Sequence, residues 1–334
     1  MSAITIDSIT SYSLNDLSKK SVAISYIDSF VAKNPSLSSA DSAFSNVKLD
    51  VKNDFISVLK KRINSPTTFR QRETSLCGPT SFCYSLAKRK PVIFAKFALD
   101  IYFYGKATIN ELEVRPGKSF LNYNFISDSG GKFQISAFDW IVIGSIRNSE
   151  NMILSYKIPT QQIAAVTSGS EICAWFEKSG APAKRDIWYS NYDLQTPISN
   201  DSQSLLDGMD EARLRDWFNK LLKMSNAKIS NNEVIVLINA KMIYQYQKSF
   251  QSIPSHWVVL ESGVDIDGKP IACYGIPTMN YADLKALLEK KIGFSFFSWG
   301  QLYNSPSMKK DFTALDFSNY FFGYVSANIA MMKS

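Results

Sequence analysis

The stretch ETSLCGPTSFCYSLAKRKP, residues 73–91, decides how the chain reads. Thr74 or Ser75 can cap a helix, and Pro79 suits a first turn, where its missing N–H is not needed. The spacing therefore predicts a helix opening at Cys77. A second helix follows in KPVIFAKFALDIYFYG, with Pro91 in its first turn and Gly105 at its end. A thiol ordinarily ionises near pH ~8.5, and the positive end of a helix dipole favours its anion. Cys77 thus reads either as a nucleophile at a helix N-terminus or as a small buried residue, the common fate of a reduced cysteine. Gly78 would let a substrate backbone approach.

Upstream the chain reads as helical and rather polar. SLNDLSKKSVAISYIDSFVAKN carries Leu17, Val22, Ile24, Ile27 and Val31 at helical spacing, with Ser13 as the N-cap. SLSSADSAFSN follows as a Ser-rich linker, and VKNDFISVLKKRIN as an amphipathic helix. Downstream, ATINELEV alternates like a strand, while SAFDWIVIGSIRNSEN and SGSEICAWFEKSG read as helices. Residues 181–204 read as loop, and LLDGMDEARLRDWFNKLLKMS as a strong amphipathic helix.

Past residue 232 the texture becomes β-rich. EVIVLINA, HWVVLES and KPIACYGI read as strands, the last two joined by a hairpin turn at Asp267-Gly268. NYADLKALLEKK is a helix capped by Asn280, and FSFFSWG and NYFFGYVSA are further strands. Helices first, then an antiparallel sheet, is an α+β order.

The bulk numbers agree with a packed globule. The chain has 334 residues, 45% of them hydrophobic, with 22 Phe, 16 Tyr and 6 Trp. No apolar run is long enough for a membrane span, so an integral membrane protein is not expected. The start, MSAITIDSITSYSLNDLSKK, lacks the basic-then-apolar pattern of a secretory signal peptide. The expectation is synthesis in a reducing cytoplasm, with export left to a machine that needs no such peptide. The net charge is +7 with pI near 9.0, its basic residues scattered as a solvated surface; no nucleic-acid motif accompanies them. Cys77, Cys83, Cys173 and Cys273 form no C-x-x-C pair, so reduced thiols are expected, the last three as core or inert residues.

The chain has one histidine, His256. If an imidazole of the chain itself activates Cys77, His256 must supply it, and SHWVVL places it at the start of a strand that can aim its ring. The Cys77 backbone N–H and the side chain of Gln71, six residues upstream, are candidate oxyanion donors. One histidine excludes metal sites built on histidine clusters, and neither a phosphate-binding loop nor an H-E-x-x-H motif is present. No metal or cofactor is expected. DIDG at 265–268 is a plain turn rather than a calcium loop, lacking the distal Glu. Asp139 and Arg147 could approach a cleft or simply end a helix.

Gln71…Cys77-Gly78-Pro79-Thr80-Ser81, His256-Trp257-Val258-Val259 and Ser298-Trp299-Gly300 together resemble the papain-like cysteine peptidase superfamily. The first two runs are similar to the bacterial branch that cleaves bacteriocin leader peptides and to bacterial effector peptidases. The resemblance covers three short islands. It implies a papain-like fold over residues 66–334, the nucleophile helix packed on the sheet that carries His256, with residues 1–65 as a helical extension on that domain. It also implies a Cys–His thiol hydrolase, a protease or amidase acting through a thioester on a protein, peptide or peptidoglycan amide. Its setting would be a secreted bacterial effector or toxin of type VI kind, with an immunity partner.

The superfamily usually places Asn or Asp on the strand after the histidine, to orient the ring. Here Phe297 stands before SWG, and IACYGI offers no amide or carboxylate. Asp265, Asp267, Ser298 and Gln301 are the candidates, with Ser298 favoured by its strand. Acyl transfer or deamidation by the same pair, and a binding protein on an impaired peptidase scaffold, are the alternatives.

Overall fold

The structure, a computed structural model, describes residues 6–44, 46–47, 49–71, 74–123, 135–150, 167–187, 210–244 and 254–333. It is a mixed α+β protein that divides into two compact units. The first holds Met1–Glu171, Trp175–Ala181 and Ile329–Ser334; the second holds Ile172–Ala174 and Pro182–Asn328. Residues 1–65 thus share a unit with the Cys77 helix.

The first unit is built on four helices: α1 (Ile6–Lys33), α2 (Ser57–Asn64), α3 (Cys77–Arg89) and α4 (Pro91–Tyr104). α1 starts before Ser13, which is therefore interior to the helix rather than its cap. The expected linker contains a short 3-10 turn, Ser39–Asp41, closed by a capping box of Ser38 and Asp41. A π-turn, Val51–Ile56, capped by the Asp50 side chain, leads into α2. α4 is apolar nearly all round and packs against both α1 and α3. It ends at Gly105, whose φ of 63° a residue with a side chain reaches only at a cost. The segment read as one strand, ATINELEV, is a hairpin of β1 (Ala107–Ile109) and β2 (Leu112–Val114), because Asn110 turns the chain at φ 53°. The helix expected over 136–151 is broken by a π-turn, Trp140–Gly144. A further helix, α5 (Gly169–Lys178), carries a capping box of Ser168 and Glu171.

A buried ion pair ties this unit together. Arg62 donates from Nε to Asp139 Oδ1 (3.0 Å) and from Nη2 to Oδ2 (2.7 Å), while Nη1 donates to Thr68 Oγ1 (3.0 Å). The guanidinium lies 5.5 Å from the Phe69 ring centroid and 5.8 Å from that of Phe138. Burial pushes the Asp139 carboxyl upward, and the hydrogen bonds from Arg62 and Ser136 oppose that shift. Asp139 and Arg147 therefore have structural partners in this unit, Arg147 through Glu171 at 2.6 Å.

The second unit is a six-stranded antiparallel sheet with helices on it. Its strands are β3 (Ala183–Ile187), β4 (Glu233–Ile238), β5 (His256–Leu260), β9 (Ser295–Ser298), β10 (Gln301–Asn304) and β11 (Phe321–Ala327), in the order β10-β9-β5-β4-β11-β3. Between β5 and β9 a small second sheet is formed by β6 (Asp265–Ile266), β7 (Lys269–Pro270) and β8 (Ile292–Gly293). β3 lies in the stretch read as loop; the rest of that stretch, residues 188–204, falls outside the described residues. KPIACYGI yields only the two residues of β7 before a 3-10 turn, Ile271–Tyr274. Ala272 and Cys273 are exposed, so no alternating face exists to hold a strand there.

The helix α6 (Glu211–Ile229) starts at Asp210, whose side chain caps Arg213 N–H. It buries Leu214, Trp217, Phe218, Leu221 and Met224, a stripe at helical period. These pack with Val234, Val236, Ile238, Val258, Leu260 and Phe296 from the sheet and with Leu284, Leu287 and Leu288 of α7 (Tyr281–Leu288). Each such side chain contributes about 1.5–3 kcal/mol when fully buried. The central strands β4 and β5 are buried on both faces, which is why EVIVLI and HWVVL read as continuous apolar runs rather than alternating ones. A bulge in β11 sets Gly323 at φ 128°, where an added Cβ would meet Asp186 O at 2.4 Å.

Candidate active-site residues

Cys77 is the first residue of α3, as the Pro79 spacing predicts, and it is buried. The expected cap is not made. Leu76 occupies the N-cap position with no side-chain hydrogen bond. Thr74 instead closes a turn with Gln71. Thr74 Oγ1 donates to Gln71 O at 2.6 Å, and Gln71 Nε2 donates to Thr74 O at 3.1 Å. This reciprocal pair fixes the buried Gln71 side chain just ahead of the helix. One Nε2 proton serves the turn; an amide nitrogen carries two.

Gly78 has a different reason from the one its sequence suggests. A Cβ built there would lie 2.6–2.7 Å from Thr167 Cβ, Cγ2 and Oγ1. The space over Gly78 belongs to the chain's own Thr167, not to an approaching substrate backbone. No spacing in the sequence points to Thr167.

The second unit holds His256, the first residue of β5, paired with Ile238 of β4 and 3% exposed. Its Nε2 lies 2.6 Å from Ser298 Oγ, the last residue of β9. Phe296 faces Leu260 in the β5–β9 register, so strand alternation puts Ser298 and His256 on the same face of the sheet. Trp299 follows and stacks on the imidazole, ring centroids 4.0 Å apart and planes 9° from parallel. Trp299 (φ 44°) and Gly300 (φ 83°) form the two-residue β9–β10 turn, the left-handed pair of a type I′ hairpin. An aromatic residue at positive φ carries strain of about 1–2 kcal/mol. The stack of the indole on the ring follows from the turn.

Burial pushes the His256 pKa down to about 3. A hydroxyl partner brings no negative charge to offset the desolvation, so the ring is neutral at pH 7. Asp265 and Asp267, the other candidate orienters, are engaged in the small sheet. Asp265 Oδ1 accepts from Gly268 N–H (3.1 Å), and Asp267 accepts from Lys291 N–H (3.1 Å) and pairs with Lys290 (3.5 Å). Gln301 is exposed, its side chain directed to the Tyr303 hydroxyl. Phe297, which precedes Ser298 in β9, is buried.

Cys83 is buried, which raises its thiol pKa well above the ordinary value, and Cys173 is buried too. Cys273 is exposed, so of the two readings, core or inert, the core one does not apply to it. Among the described residues no cluster of His, Cys, Asp and Glu could hold a metal ion, and no helix is long and apolar enough to cross a membrane. No protein-family model, curated protein or solved structure matches this chain.

Proposed function

We propose that the chain is a papain-like Cys–His thiol hydrolase, with Cys77 as nucleophile and His256 as base and then acid. The observation that carries this reading is the environment of the one histidine: Nε2 bonded to Ser298 at 2.6 Å and the ring flat against Trp299. A ring held on one nitrogen and one face presents its other nitrogen, Nδ1, in a fixed direction. With Nε2–H donating to Ser298 Oγ, Nδ1 is the basic nitrogen, and Ser298 serves as orienter in place of Asn or Asp. A neutral imidazole is the form that takes a proton.

Cys77 as the first residue of a 13-residue helix supports the nucleophile role, and the remaining proton of Gln71 Nε2 the oxyanion role. The thiol proton passes to His256 as sulfur attacks an amide carbonyl. His256 returns that proton to the leaving amine, and water then hydrolyses the thioester. A secreted bacterial effector or toxin with an immunity partner is the setting the motif resemblance suggests.

A thiol-reactive probe at pH 7 tests the pair. Labelling of Cys77 well ahead of the exposed Cys273, and lost in His256→Ala, is the expected result; equal Cys77 labelling of wild type and variant overturns it. Cys77→Ala should abolish hydrolysis while leaving the unfolding transition in place.

A second reading has its own support. The hydroxyl partner and the pKa near 3 leave an imidazolium poorly stabilised, as in a binding protein on an impaired peptidase scaffold. An unreactive Cys77 in the same labelling experiment would favour it.

A further inference from the structure

The two edges of the six-stranded sheet differ in chemistry. β3 reads AKRDI, with Lys184, Arg185 and Asp186 in succession, the kind of edge that repels an added strand. β10, at the other edge, reads QLYN, with no charge, no proline and no bulge. Leu302 in its middle is 58% exposed.

The register shows which backbone groups point outward. Glu261 N–H donates to Ser295 O (2.8 Å), so Ser295 bonds toward β5. In an antiparallel ladder alternate residues bond to alternate neighbours. Phe297 therefore also bonds toward β5, while Phe296 and Ser298 bond toward their β10 partners, Tyr303 and Gln301. Leu302 and Asn304 then face away from β9. Asn304 is closed off by Ser307: its N–H donates to Ser307 Oγ (3.1 Å), and its carbonyl accepts from that hydroxyl (2.7 Å). Leu302 is left with both its N–H and its C=O directed outward, and among the described residues the sheet has no strand beyond it.

We propose that this edge captures an extended polypeptide, pairing one of its residues with the N–H and C=O of Leu302. An outward donor and acceptor on one extended residue match an extended backbone of either direction and any sequence, and the uncharged rim does not repel it. A second copy of the chain is a poor occupant. β10 against β10 would share only the Leu302 groups, far short of the surface that holds a stable dimer. The captured strand would lie about two strand spacings, ~10 Å, from β9, beside the hairpin whose turn carries Trp299 against His256. As an assignment of substrate class this rests on the hydrolase reading; as a binding edge it does not.

The test is amide hydrogen exchange at Leu302 in the full-length Cys77→Ala protein, with a mixture of end-blocked random heptapeptides at millimolar concentration. The expected result is at least tenfold slower exchange at Leu302, no protection from the same peptides N-methylated along the backbone, and loss of protection in Leu302→Lys. Unchanged exchange, or equal protection by N-methylated peptides, overturns the proposal. Protection that rises with protein concentration without peptide overturns it in favour of self-pairing. Thiol labelling of Cys77 is scored separately in the wild-type chain. An inert Cys77 with a protected Leu302 would remove the hydrolase reading and leave the edge standing, and the reverse pattern would do the opposite.

Discussion

The Nε2 atom of His256 lies 2.6 Å from Ser298 Oγ, a hydroxyl where a carboxylate or amide would be the stronger anchor. That single bond joins the first residue of one strand to the last residue of its neighbour. The rest of the ring is held by burial and by its stack on Trp299.

Acid should destabilise the fold through His256. Its folded pKa of about 3 lies below the ordinary 6.5, so the unfolded chain binds a proton that the folded chain refuses. The stability contributed by the neutral ring is fully present above pH 6.5 and is lost as pH falls from 6.5 toward 3. Full titration corresponds to a few kcal/mol. Urea unfolding midpoints measured at several pH values check it, and His256→Gln should flatten the slope. Because the chain has one histidine, its imidazole NMR signal needs no assignment, and it should not titrate between pH 5 and 8.

Removing the hydroxyl should cost more than removing a surface bond. Ser298→Ala leaves the buried Nε2 unpaired, a loss of about 1–3 kcal/mol in denaturant unfolding. If His256 is the base, kcat should fall at least tenfold while KM changes little. Ser298→Asn, which restores a partner, should recover part of that loss.

Trp299→Gly separates strain from shielding. Glycine relieves the positive φ of the turn, but it opens one face of His256 to water. The expected outcome is a rise of the imidazole pKa from near 3 toward 6.5, read on the same NMR signal.

Breaking the Arg62–Asp139 pair should be among the most damaging single changes. Arg62→Ala leaves a buried carboxylate uncompensated, for a loss of about 3–5 kcal/mol in chemical denaturation. Replacing both partners together, Arg62→Met with Asp139→Leu, should recover most of it.

At Gly78 the expected result is a rescue. Gly78→Ala drives a methyl into Thr167 and should cost about 1–3 kcal/mol, and Thr167→Gly in that background should restore much of the stability.

Local chemistry made several elements legible. Pro79 and Pro91 mark helix starts wherever the fold puts them, and Gly105 marks an end, because backbone sterics act within a few residues. Asp267-Gly268 turned as expected, at φ 49° and 74°. Asn280 caps its helix by bonding Asp283 N–H. Where local signals were ambiguous, packing chose: β3 forms from the polar AKRDI because β11 offers it an edge, while IACY, with exposed residues, winds into a 3-10 turn.

The sequence by itself determined that one imidazole exists, that it opens an apolar strand, and that one cysteine opens a helix. These are facts of count and of near-neighbour sterics. Tertiary structure alone decided that Ser298, rather than Asp265 or Asp267, meets His256, that Thr167 fills the space over Gly78, and that Arg62 answers Asp139. Each of those pairs is far apart in the chain. Which partners meet is set by strand register and helix packing, quantities to which every residue of the core contributes and which no short motif encodes.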